Sequence, residues 1–173
     1  LELVRLGAGL AEAAREVHRD VPRVLEVHAV RAEEPLDPRR VAAEHDEAGV
    51  AERDRRDGRE VARYRKIHLF DITAPDGTEY KESATVKPGE EIVTYDCEGV
   101  TVGCAICYDL RFPELFQELT RRGSKVIALP ASFTLQTGKD HWEVLCRARA
   151  IETETYMVAA AQTGAYKAED VST

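Results

Sequence analysis

The chain has 173 residues, with Lys+Arg 24 against Asp+Glu 32 and a formal charge of −8. That length suits a single domain with a real core. No run reaches about 18 apolar residues, which excludes a membrane-spanning helix, and scattered net acidity argues against a nucleic-acid-binding surface.

Composition divides the chain. Residues 1–60 hold 26 charged residues, 11 of them Arg, and no Lys, Phe, Tyr or Trp. Leu3, Leu6, Leu10, Ala14 and Val17 trace a weak amphipathic helix from Leu1 to Arg19, which Gly7 and Gly9 weaken. Pro22, Pro35 and Pro38 interrupt any later period, and the charged run Glu52 to Asp57 offers no core face. Residues 1–56 are therefore expected to be a disordered or loosely helical leader, or a stretch of a GC-rich gene read out of frame. Residues 57–173 are expected to carry the domain. The first residues lack an apolar signal core and four cysteines make no disulfide scaffold, so the expected location is cytoplasmic.

From Asp57-Gly58, a hairpin turn signal, the pattern becomes regular. Glu60 to Arg65 reads as a strand. Asp76-Gly77 and Pro88-Gly89 mark turns. Ile92 to Tyr95 reads as a strand that Glu98-Gly99 turns into Val100 to Cys107, a run apolar on both faces and suited to a buried sheet. Phe112, Leu115, Phe116 and Leu119 then form one helical stripe. Pro113 and Glu114 suit its first turn, Arg121 and Arg122 its last, and Gly123 its C-terminal cap. Lys125 to Leu129 predicts a strand stopped by Pro130. Asp140 and Glu143 resemble a capping box for a helix running to about Glu152. Tyr156 to Ala161 predicts another buried strand. Alternating strands and helices predict an α/β layered fold.

Cys107 stands where a buried strand ends and a helix begins. Such a turn exposes a nucleophile beside backbone N–H groups that can stabilise an oxyanion, and a helix N-terminus favours thiolate. A buried structural cysteine is the alternative reading. Cys104 and Cys107 form a CxxC, but three residues along a strand place two side chains on opposite faces, which argues against redox pairing or shared metal ligation. There is no second CxxC, and His68 and His141 lack partners at ligand spacing, so neither metal nor cofactor is expected. No histidine has the context of a base for Cys107. A carboxylate base with a lysine cation is the other arrangement, and Lys66 and Glu82 are candidates, although each alone also reads as surface charge.

Together these segments resemble the nitrilase superfamily of carbon–nitrogen hydrolases. Tyr64-Arg65-Lys66-Ile67-His68-Leu69-Phe70-Asp71 is similar to its lysine motif. Lys81-Glu82-Ser83 with Pro88-Gly89 is similar to its second-glutamate segment, and Gly103 to Leu115, containing Cys107, to its nucleophile motif. Pro130-Ala131-Ser132-Phe133, Thr137-Gly138, His141 to Leu145 and Arg147 to Thr153 complete the likeness. The last block most resembles ω-amidases and deaminated-glutathione amidases. The resemblance implies the four-layer αββα sandwich, of which this chain holds roughly two-fifths, with C-terminal strands expected after Gly164 missing. It implies that Cys107 attacks an amide carbon to form a thioester, and that Lys66 and the Tyr108 N–H hold the oxyanion. Glu82 would position the lysine. Phe133 would be a wall of pocket or core and Trp142 part of the core. Arg111, Glu114, Arg147 and Arg149 would form ion pairs or a subunit contact, and Glu143 a cap. The implied partners are a small carboxylate-bearing amide and further copies of the chain, as a homodimer or higher homo-oligomer. Nitrile or N-carbamoyl substrates with the same residues, or a truncated non-catalytic relative, are the alternatives.

The family's general-base glutamate has no counterpart at the implied spacing. Glu33-Glu34-Pro35 has the right letters in the wrong order, and the role is assigned to no residue. The chain as written is therefore expected to turn over little substrate.

Overall fold

The structure is a computed structural model that describes residues 30–31, 49–53, 60–74 and 77–163. The expected helix from Leu1 to Arg19, the Glu33-Glu34-Pro35 segment and the Asp57-Gly58 turn lie outside these residues.

The central sheet has five strands in the order β1-β9-β8-β7-β6. They are β1 (Val30–Arg31), β6 (Thr94–Cys97), β7 (Val100–Cys104), β8 (Val126–Ala131) and β9 (Tyr156–Thr163). Strands β7, β8, β9 and β1 run parallel, and β6 pairs antiparallel with β7. Two small antiparallel ribbons stand outside it. One pairs β2 (Gly49–Arg53) with β3 (Glu60–Arg65), and the other pairs β4 (Asp71–Thr73) with β5 (Glu79–Lys81). This mixed α/β architecture is the expected class.

Helix α1 (Pro113–Arg121) connects β7 to β8, and α2 (Glu143–Thr153) connects β8 to β9. Both helices pack against one sheet face. Leu115, Phe116 and Leu119 of α1 meet Ile127 and Leu129 of β8, Met157 of β9 and Cys146 and Ala150 of α2. Full burial of side chains such as Phe116 and Leu119 contributes about 1.5–3 kcal/mol each. The opposite face carries a second cluster from Val102, Val126, Ala128 and Tyr156, which explains why the strands read as apolar throughout. Among the described residues no helix is long and apolar enough to cross a membrane.

Several boundaries differ from those expected. Strand β7 ends at Cys104, with the Ala105 N–H making its last bond to β8, and Ile92 and Val93 precede β6 rather than start it. Pro130 does not end its strand: β8 continues to Ala131, with Pro130 in register with Ala160. The Ala128 carbonyl accepts from the Ala105 N–H on the β7 side. Two residues on, Pro130 faces that same side, where β7 has already ended, so its missing N–H breaks no ladder bond. The helical run after β8 starts at Leu135, not Asp140. The Thr134 hydroxyl accepts from the Thr137 N–H at 3.4 Å, and one α-helical turn passes through a π-helical stretch, Gly138–Trp142, into α2. Glu143 caps nothing and instead pairs with Arg147 at 2.9 Å on the exposed face.

Candidate active site

The parallel strands deliver their C-terminal ends to one side, the usual place for a ligand crevice in such sheets. There a cavity of about 420 Å³ is lined by Lys66, Glu82, Cys107, Tyr108, Arg111 and Phe133, among others. All five residues singled out from the sequence meet there.

Cys107 follows β7 by three residues and opens a 3₁₀ turn, Cys107–Arg111. Its φ is +47°, a left-handed conformation that costs a non-glycine residue on the order of 1–3 kcal/mol. This is the strained turn expected of an exposed nucleophile. The Sγ faces the Ser132 carbonyl at 3.8 Å, just beyond β8. Burial pushes the Cys107 thiol above its ordinary value, and the neighbouring Lys66 ammonium pulls in the opposite direction without prevailing. The expected thiolate at a helix start is not what the site favours: Cys107 opens a short 3₁₀ turn, and desolvation is the largest influence on its thiol.

Lys66 leaves β3 with its side chain only 3% exposed, and its Nζ lies 2.6 Å from Glu82 Oε2. The same oxygen accepts the Phe70 N–H at 2.6 Å, so Glu82 ties the lysine head to the backbone beyond it. Gly89 holds the lysine from behind. Its N–H donates to the Lys66 carbonyl at 2.8 Å, and a Cβ there would lie 2.2 Å from the Arg65 carbonyl oxygen. Only glycine fits so near that backbone.

Tyr108 packs edge-on to Phe70 at 5.0 Å and to Phe112 at 5.5 Å. Phe133 lies edge-on to Trp142 at 4.9 Å, with Phe133 on the cavity and Trp142 against the core. Arg111 forms no buried ion pair. Its guanidinium lies 5.8 Å from the Tyr108 ring and 5.7 Å from the Phe133 ring, and Nη2 is 3.2 Å from His141 Nδ1. Arg149 is the buried arginine, bonded to Glu152 at 2.9 Å and to the Leu110 carbonyl at 3.0 Å. Cys104 is buried in a cluster with Tyr64 and Ile106 and does not line the cavity. Cys104 and Cys107 form no disulfide with each other.

Sequence reasoning missed Asp109. Its side chain is fully buried and takes four hydrogen bonds, the acceptor capacity of a carboxylate. Oδ1 accepts the His68 N–H at 3.0 Å and faces His68 Nδ1 at 2.8 Å. Oδ2 accepts the Tyr64 hydroxyl at 2.8 Å and the Ile106 N–H at 2.9 Å. Burial, then Asp109, hold the Tyr64 phenol far above its ordinary value, so it stays a neutral donor. An acidic residue three positions after Ile106 was the only signal available, and its other partners are more than forty residues away.

Comparison with known proteins decides the family. The carbon-nitrogen hydrolase family profile matches residues 53–172. The chain belongs to that family. It is 52% identical over 111 residues to deaminated glutathione amidase of Synechocystis, covering 63% of this chain and 41% of that protein. It is 43% identical over 116 residues to the human omega-amidase NIT2, covering 67% and 42%. The crystal structure of the C. elegans NitFhit protein superposes with a TM-score of 0.67 at 43% identity, covering 77% of this chain and 32% of that one. Yeast Nit3, of the nitrilase superfamily, gives 0.55 at 26% identity, covering 78% and 54%. The fold is thus that of the nitrilase superfamily, and the chain spans about two fifths of the length of the curated relatives it matches.

Proposed function

We propose that this chain carries the nucleophile half of an amidase site, which hydrolyses the carbon–nitrogen bond of a small carboxylate-bearing amide. The observation that supports it most is the convergence of Cys107 and the Lys66–Glu82 pair on one cavity.

Cys107 Sγ attacks the amide carbon and loses its proton to a base. The carbonyl oxygen becomes an oxyanion, which the Lys66 ammonium and the Tyr108 N–H stabilise; each such donor is worth roughly 3 kcal/mol in a dry site. Collapse breaks the C–N bond, ammonia leaves with a proton, and a thioester remains for water to cleave. Because burial holds the resting thiol protonated, deprotonation must accompany attack. The base is assigned to none of the described residues. Glu82 is committed to Lys66 and the Phe70 N–H. Arg111, steadied over two rings at the cavity wall, together with Lys81, favours a substrate with a carboxylate distal to its amide.

The test is single-turnover acylation. The full chain is incubated with a short dicarboxylic acid monoamide and the Cys107 peptide is weighed by mass spectrometry. The expected result is a hydroxylamine-labile adduct at Cys107, weaker with the matching amide that lacks the carboxylate. No adduct, with iodoacetamide labelling Cys107 no faster than Cys97, overturns the proposal.

A further inference from the structure

We propose that Asp109 is a positioning residue, one buried carboxylate that fixes the Cys107 turn and the Lys66 segment relative to each other. The inference rests on Cys107 and Lys66 working as a pair.

The geometry is specific to this role. Oδ2 accepts the Ile106 N–H and so closes the backbone around Cys107 from the residue just before it. That bond holds the left-handed turn, which Cys107 would otherwise leave for an ordinary conformation. The other three donors all come from residues flanking Lys66. The Tyr64 hydroxyl reaches Oδ2 from two residues before it, and the His68 N–H and Nδ1 reach Oδ1 from two residues after. The Tyr64 hydroxyl also lies 3.3 Å from the Ile67 N–H, on the lysine segment itself. The His68 ring is stacked on Phe112 at 3.8 Å with planes 7° apart, so the nucleophile side grips it through packing as well. Lys66 is thus straddled by two residues anchored to a single side chain of the nucleophile turn.

A carboxylate with no exposure and four short bonds permits little movement at either end. It does not line the cavity, so it acts through Cys107 and Lys66 and not on substrate. Its negative charge opposes the thiolate. A role through charge alone and a role through positioning therefore have opposite signs when the charge is removed.

The experiment is a double-mutant cycle on the full chain, read as the rate of Cys107 alkylation by iodoacetamide at neutral pH, with Cys97 as internal reference. Lys66→Met in the parent chain is expected to slow Cys107 about tenfold, the equivalent of one pKa unit. In the Asp109→Asn background the same change is expected to slow it less than about twofold, because the lysine no longer has a fixed relation to the thiol. Tyr64→Phe, which removes one of the four bonds, is expected to leave an intermediate penalty of about fourfold. A full tenfold penalty in both backgrounds overturns the proposal. So does faster alkylation in Asp109→Asn with the penalty intact, which would mark a role through charge. If circular dichroism shows Asp109→Asn unfolded, Tyr64→Phe decides alone by the same criterion. No effect of Lys66→Met in the parent chain would instead sink the paired reading of the site, and the positioning role with it.

Discussion

The two walls of the cavity are built differently. Cys107 stands on the core: Ile106 before it and Leu110 after it are buried, and β8 and α2 pack against the turn. Lys66, itself buried, and Glu82 are carried by segments outside the central sheet. Strand β5 is exposed along its length, and the 3₁₀ turn that carries Glu82 has no buried residue. Apolar packing seats the nucleophile wall, with the Asp109 bond to Ile106 closing its turn, whereas the cation depends on a handful of hydrogen bonds from Glu82, Gly89 and Asp109. The nucleophile wall is therefore sensitive to lost volume, and the cation wall to lost polar partners.

The contrast is open to direct attack. Phe116→Ala, beneath the nucleophile wall, is expected to destabilise by about 3–5 kcal/mol, measured as the shift in a urea unfolding midpoint. A loss under about 1 kcal/mol would mean that this wall is not built by packing. Glu82→Gln is expected to destabilise by about 1–3 kcal/mol, because it leaves the Lys66 ammonium without its charged partner. The same variant should quicken alkylation of Cys107, since the Glu82 charge opposes the thiolate. Slower alkylation would break the electrostatic account.

A pH titration sharpens the contrast on the core side. Burial pushes the Cys146 thiol up to about 12 from 9.0. Above its unfolded value the unfolded chain loses this proton while the folded chain keeps it, so stability falls as pH rises from about 9 towards 12. The loss at pH 10 is about 1.4 kcal/mol. Cys146→Ala should flatten that slope in a series of melts, and an unchanged slope would assign it to other groups. Smallest of all, Tyr80→Ala on the exposed ribbon should change stability by less than about 0.5 kcal/mol, since the ring is 40% exposed. A cost comparable to that of Phe116→Ala would erase the distinction between the walls.

What the sequence disclosed follows the same division. Strand β3 and helix α1 were legible to the residue, or nearly so, because both announce themselves locally: a turn dipeptide shortly before one, and an apolar stripe with Pro113 and Gly123 at its ends in the other. Cys107, Lys66 and Glu82 were legible through their motifs. The start of the helical run was not, because the Thr134 cap is a single hydroxyl and a π-helical stretch has no familiar period. Pro130 misled because whether a proline ends a strand depends on what lies beside it. Asp109 was invisible in its role, since two of its partners, Tyr64 and His68, are 45 and 41 residues away. Arg111 reads from its sequence context as an ion-pair or subunit-contact residue, because sequence does not show the two aromatic rings beside which its guanidinium lies.

Pro130 has one more consequence. Strand β8 runs past the end of β7, and the turn that opens with Cys107 packs beside it, so Pro130 is buried. Any other residue at this position would bring an N–H that finds no strand to receive it. Pro130 has none to bury. The residue that least resembles part of a strand is the one that lets the Cys107 turn close over β8 without stranding a donor.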